Sequence, residues 1–218
     1  MDYKKEISKN ILSLSGSKSP YDIFYDWIAL MALSLANAPC MIRNRVYLDR
    51  EKQYKDIVSK YTNEEFKKIC YMFYLLTEAF EEKMTDWLGE IYMESRCANK
   101  NTGQFFTPFN VSRMSADLAI PDDYDGSYPI YINEPSTGGG GMIIAAAKTL
   151  KEKNINYQKC MRVIAQDLDW KGVYMTFTQL SLLGIDAIVV QGDTLLDPYT
   201  ENYPKNRVFR TLRNMGGL

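Results

Sequence analysis

Four consecutive glycines at residues 138–141, inside the stretch "NEPSTGGGGM" at 133–142, limit the fold of this chain more than any other feature. Bare backbone in such quantity is a flexible linker, a phosphate cradle or the floor of a nucleoside pocket. The flanks exclude a linker. "YPIYIN" (128–133) is a short strand, and "MIIAAAKTLKEK" (142–153) is a helix rich in Ala, Leu and Lys. A second strand, "MRVIAQDLD" (161–169), precedes a helix, "WKGVYMTFTQLSLLG" (170–184), that Gly184 stops, and "DAIVVQGDTL" (186–195) is a third strand. Strands alternating with helices of about 10–15 residues predict βαβ units and a parallel sheet.

Two phosphate motifs fail on spacing. A dinucleotide fingerprint starting at Gly138 needs Gly or Ala at 143, where Ile143 stands. A P-loop needs Lys and then Ser or Thr after its last glycine, and Met142 and Ile143 follow Gly141. A nucleoside floor remains. Asp167 ends the second strand, where an acidic residue can hold ribose hydroxyls. Asp193, in "QGDT", is placed to accept a bond from an adenine amino group. Glu134 with the glycines, then Asp167, then Asp193 would put three consecutive strand ends around one pocket. The alternatives are local: Asp167 as a helix cap, Gly192-Asp193 as an ordinary turn, and Thr107-Pro108 as another.

The first hundred residues carry no confident strand. Residues 19–38 open with Ser-Pro and place Ile23, Trp27, Leu30 and Met31 at helical spacing. A second helix starts at Thr62, with Glu65 completing a capping box, and a third covers about 85–96. The expected organisation is a helical region over 1–100 and an α/β region over 101–218. Composition enters by exclusion. The chain has no histidine, so imidazole bases and His-containing zinc sites are out. Its four cysteines include no CxxC pair, and reduced thiols in a cytoplasmic protein are expected. A formal charge of −1 gives no overall basic field for nucleic acid. Neither a signal peptide nor a membrane span is expected, since the most apolar stretch, 27–36, is too short.

Taken together, "GQFFTPFNV" (103–111), "EPSTGGGGM" (134–142), "AQDLD" (165–169) and "GDTL" (192–195) resemble the successive S-adenosylmethionine motifs of adenine-N6 DNA methyltransferases. The similarity is greatest to the modification subunit of type I restriction-modification systems, and "DWLGEIYMES" (86–95) resembles that family's helix before the F-T-P loop. The resemblance implies a Rossmann-like methyltransferase core, truncated and mostly parallel, behind the helical region. It implies that Phe106, Thr107 and Pro108 border the methionine end of the cofactor, with Thr107 reaching its carboxylate. Glu134, where the family usually has Asp, would orient the amino group or the glycine loop. Ser136 and Thr137 replace the usual Ala-Cys, Gly138 and Gly140 would face the cofactor, and Pro135 and Leu168 flank it. Asp167 would take the ribose and Asp193 the adenine amine.

One family element is missing. The Asn/Asp-Pro-Pro-Tyr/Phe tetrapeptide that holds the target adenine does not occur, so no catalytic residue is identified. "DPY" (197–199) is a turn-like look-alike, four residues beyond Asp193. "RVFRTL" (207–212) is the expected fourth strand; in the family's usual order it lies beside the first strand and would shield its edge. The tail holds Lys205, Arg207, Arg210 and Arg213 with no acid, which reads as a phosphate contact or a solvated terminus. The expectation is a C-terminally shortened chain that methylates DNA only with a partner: a specificity subunit, another restriction-modification subunit or a second copy. The alternatives are a catalytically silent mimic that regulates or blunts restriction, and an α/β protein with another nucleoside ligand.

Overall fold

The computed structural model describes residues 1–16, 18–95 and 106–215; Cys97 and residues 103–105 of the F-T-P loop lie outside them. The described residues group into two compact units, residues 1–83 with 87–95, and residues 84–86 with 106–215.

The first unit is helical: α1 (Tyr3–Leu14), α2 (Pro20–Asn37), α3 (Arg45–Val58), α4 (Asn63–Glu82) and α5 (Trp87–Glu94). Ser19 and Asp22 form a capping box at the start of α2, with Pro20 in its first turn, and Thr62 and Glu65 do the same for α4. On α1, Ile7, Ile11 and Leu14 make a single apolar stripe. Twelve of the 18 residues of α2 are buried, with Phe24 and Trp27 in edge-on contact at 6.0 Å. The one buried acid of this helix, Asp26, accepts hydrogen bonds from Lys60 Nζ and Tyr61 Oη, both at 2.9 Å. An unpaired carboxylate there would carry a large desolvation penalty.

The second unit runs α6 (Phe109–Ala119), β1 (Ile130–Glu134), α7 (Gly141–Glu152), α8 (Tyr157–Cys160), β2 (Met161–Asp167), α9 (Trp170–Leu182), β3 (Ala187–Gln191), β4 (Val208–Arg210) and α10 (Leu212–Met215). The sheet order is β1-β2-β3-β4, with the first three strands parallel and β4 antiparallel to β3. Val163, Ala165, Ala187, Val189 and Phe209 form the buried face. Right-handed crossovers place α7 and α9 on the same side of a sheet that grows in one direction. The opposite face shows Tyr131, 79% exposed, and Ile164 to solvent.

The fourth strand departs from expectation. It does not lie beside β1 but covers the far edge, where Val189 pairs with Phe209. Two physical reasons account for this. The connection from Gln191 to Val208 contains no helix beyond a single 3-10 turn, Lys205–Arg207, and so no crossover helix, and an antiparallel return needs no crossover whereas a parallel one does. Phe209 is also anchored on α9, with ring centroids 6.2 Å from Trp170, 5.9 Å from Tyr174 and 5.0 Å from Phe177. Among the described residues, the outer edge of β1 has no strand partner.

Candidate functional site

Strand register sets the site. Glu134 at the tip of β1 stands opposite Ala165, and Asp167 at the tip of β2 stands opposite Gln191. The loops then continue the ladder: Thr137 N–H donates to Gln166 O at 3.0 Å and Gly192 N–H to Asp167 O at 2.8 Å. Thr194 Oγ1 donates to Pro135 O at 2.7 Å, joining the loops after β1 and β3 across the tip of β2. The three strand ends therefore form one connected rim.

The glycine loop is a tight turn into α7, closed by Gly140 N–H donating to Thr137 O at 2.8 Å. Gly138 and Gly140 have φ of +54° and +88°, a region that residues with a Cβ rarely enter. The four glycines face three neighbours. A Cβ on Gly138 would lie 2.8 Å from the Phe106 ring, so this ring covers the loop at that point. Gly140 is buried and turned towards Thr176 on α9, while Gly139 and Gly141 are turned towards the Asp86 carboxylate.

Asp167 is the best-fixed acid of the rim. Its Oδ2 accepts Gly138 N–H at 2.7 Å and its Oδ1 accepts Asp169 N–H at 2.9 Å. Bare Gly172 makes room for it, since a Cβ there would stand 2.6 Å from the carboxyl. The helix-capping task belongs to Asp169, which accepts Lys171 N–H at 2.9 Å. Burial pushes the Asp167 carboxyl above the ordinary aspartate range, and the N–H groups of Asp169 and Gly138 pull it partly back. The folded protein thus holds this proton more tightly than the unfolded chain. The group's contribution to stability is full below the unfolded pKa and is lost as pH rises through the folded value.

The remaining candidates are less committed to one another. Asp193 lies two residues beyond β3, and its Oδ1 accepts Leu195 N–H at 2.9 Å and Leu196 N–H at 3.2 Å, closing its own turn. Glu134 Oε1 accepts Ser136 N–H at 3.3 Å. Thr137 is buried and its hydroxyl meets that of Thr176 at 3.0 Å, whereas Pro135, Ser136 and Leu168 are exposed. Leu168 O accepts Gln191 Nε2 at 2.8 Å. Thr107 and Pro108 are exposed at the entry to α6, where Pro108 O accepts the N–H of Val111 and Ser112. In "DPY", Tyr199 N–H donates to Gln166 Oε1 at 3.1 Å and Arg210 donates to Tyr199 Oη at 2.9 Å, so this segment is fastened as a loop.

A donor set of this kind suits a ligand with hydroxyls and positive charge. The carboxylates of Glu134, Asp167 and Asp193 accept bonds, and each Asp167 oxygen keeps a second acceptor direction beyond its backbone bond. Among the described residues no group of His, Cys, Asp or Glu could hold a metal ion. Among the described residues, too, no helix is long and apolar enough to cross a membrane. A cavity of about 510 Å³ lies off the rim, on the outer side of β1 between α6 and α7, and reaches Glu134 at the tip of β1 and Met142 in the first turn of α7. Sequence reasoning passed over Asp86, Thr176 and Gln179, which touch or support the glycine loop. For Thr176 and Gln179 the signal was polar residues three apart on the mainly apolar "VYMTFTQLSLL", diluted by Thr178 and Ser181 in the same stretch; Asp86 lies far away in sequence and had no such signal.

A profile of the family described as N-6 DNA Methylase matches residues 83–211, more than half of the chain. Among solved structures, the chain is similar to the type I restriction-modification system methyltransferase subunit from Streptococcus thermophilus, with a TM-score of 0.48 and 12% identity. It is also similar to a protein described as a class I S-adenosylmethionine-dependent methyltransferase from Listeria monocytogenes, with a TM-score of 0.45 and 12% identity. The alignments cover 93% and 90% of this chain but only 60% and 55% of those proteins, so it spans less than two thirds of either. No curated protein matches.

Proposed function

We propose that this chain, which belongs to the N-6 DNA methylase family, binds S-adenosylmethionine on the rim formed by the tips of β1, β2 and β3. The supporting observation is Asp167, a carboxylate held at the central tip by the N–H of Gly138. In this reading Asp167 accepts the ribose hydroxyls and Asp193 an adenine amino hydrogen. Glu134, Pro135, Ser136, Thr137, Gly138 and Gly140 form the floor, and Leu168 flanks the nucleoside. Phe106, Thr107 and Pro108 border the methionine end. The bound cofactor supplies an electrophilic methyl group on a sulfonium centre; the chain's own residues orient it and exclude water.

The substrate in this reading is an adenine amino group in DNA, and methylation needs residues beyond this chain. No Asn/Asp-Pro-Pro-Tyr/Phe tetrapeptide is present to accept the amine's hydrogens, and Tyr199 of its look-alike is engaged by Arg210. A partner of the restriction-modification type would supply those groups and the sequence specificity; a second copy of this chain, which lacks the same tetrapeptide, could pair with it but not complete the target-base pocket. The same observation favours a second reading, a catalytically silent S-adenosylmethionine-binding relative that competes with an active subunit.

Titration calorimetry with S-adenosylmethionine tests the site. Binding is expected, and Asp167→Ala should weaken it about tenfold or more, since a hydrogen bond to a charged group contributes roughly 1.5–3 kcal/mol. No heat of binding with the intact chain would refute the site. Affinity should also fall with pH as Asp167 protonates, beginning above the pH at which an ordinary aspartate does, because burial raises its pKa. Calorimetry across a pH series should show this slope in the wild type and not in Asp167→Ala. A labelled-methyl assay on adenine-containing DNA separates the two readings. Transfer only with a partner subunit supports the first, and none in any combination supports the second.

A further inference from the structure

The glycine loop is held from beneath by side chains that take no part in the ligand contacts proposed above. Thr176 and Gln179 lie three residues apart on α9, and both are fully buried. Thr176 Oγ1 donates to Gly138 O at 3.1 Å, and Gln179 Nε2 donates to Gly139 O at 2.6 Å. The same Gln179 amide donates to Asp86 Oδ1 at 2.7 Å, so both of its hydrogens are used. Asp86 is 4% exposed and belongs to the α/β unit. Its carboxylate would stand 2.8 Å from a Cβ on Gly139 and 3.1 Å from one on Gly141. Two of the four glycines are therefore bare because this acid lies against them. A carboxylate this buried is destabilising unless well partnered, and Asp86 also lies beside the first turn of α7, whose amino end favours negative charge.

We infer that Asp86 is a positioning residue for the cofactor loop. It fixes the Gln179 amide, Gln179 fixes the Gly139 carbonyl, and the turn so held keeps Gly138 N–H on Asp167. Its link to the ligand rests on the S-adenosylmethionine reading above, whereas its action on the loop can be measured without any ligand. The test compares Asp86→Ala, Asp86→Asn and Gln179→Leu by amide hydrogen exchange of the ligand-free protein, followed by calorimetry with S-adenosylmethionine. Local opening of the loop should speed exchange across residues 137–142 by at least about tenfold in Asp86→Ala and Gln179→Leu, with β2 and β3 unchanged. Asp86→Asn, which keeps an acceptor for Gln179, should restore most of the protection. Cofactor affinity should follow the same order. Wild-type exchange in the loop of Asp86→Ala, or acceleration spread evenly over the α/β unit, would overturn the inference. If Asp86→Ala does not fold, Gln179→Leu decides by the same criterion. Absence of binding by the wild type would remove the ligand reading while the exchange data still decide the role of Asp86.

Discussion

Gly140→Val is expected to abolish measurable S-adenosylmethionine binding and to destabilise the α/β unit by about 2–5 kcal/mol, from left-handed backbone strain and overpacking together. At φ +88° a β-branched residue is a genuine outlier. The steric demand adds to this, because a Cβ at Gly140 would lie 3.2 Å from Thr176 Oγ1 and 3.5 Å from Thr176 Cα. The second distance is ordinary contact, but that atom is helix backbone and cannot rotate away from the two methyl groups that a valine adds beyond its Cβ. Displacing Thr176 also disturbs its bond to Gly138 O, so strain at one glycine spreads to the residue whose N–H Asp167 accepts. A loss of roughly 100-fold or more in affinity corresponds to about 2.8 kcal/mol at 1.4 kcal/mol per tenfold. Calorimetry and thermal unfolding measure the two effects separately. Near-wild-type binding by Gly140→Val would mean that this loop is not the floor of the site.

The second large effect lies in the helical unit. Trp27→Ala should destabilise it by about 3–5 kcal/mol, the usual range for removing a large buried aromatic. Trp27 is fully buried, and its neighbour Phe24 also contacts Tyr92 at 5.4 Å. Trp27 Nε1 has no hydrogen-bond partner among the described residues. Trp27→Phe should therefore cost much less, since losing an unsatisfied donor returns about 1–3 kcal/mol against the smaller cavity. Denaturant midpoints for the two variants measure the difference. Equal losses would show that the indole N–H is satisfied in solution.

The sequence made the α/β unit legible because its signals are local. The alternation of apolar strands with helices placed β1, β2 and β3, and the glycine run marked where the chain turns from β1 into α7. Gly184 stops α9 with φ +65°, as expected of a helix-terminating glycine. The capping boxes at Ser19 and Thr62 likewise lie within four residues. The acids at the strand tips were legible for the same reason: a strand has a readable end.

Other features depend on neighbours far apart in sequence. Placing β4 beside β1 followed a family pattern, whereas the actual edge was decided by Phe209 packing on α9 and by a connection without a crossover helix. The distinct surroundings of the four glycines depend on Phe106, Thr176 and Asp86, which approach from three other segments.

By itself, then, the sequence determined the helical and α/β character of its parts, the loop that must be bare, and the carboxylates that stand at or just beyond its strand ends. Backbone conformation and hydrophobic period are written over a few adjacent residues, so they survive in one dimension. Only the tertiary structure decided which edge β4 covers, which acid supports the loop and which lies at the rim. Those outcomes depend on packing between segments that the chain order does not specify.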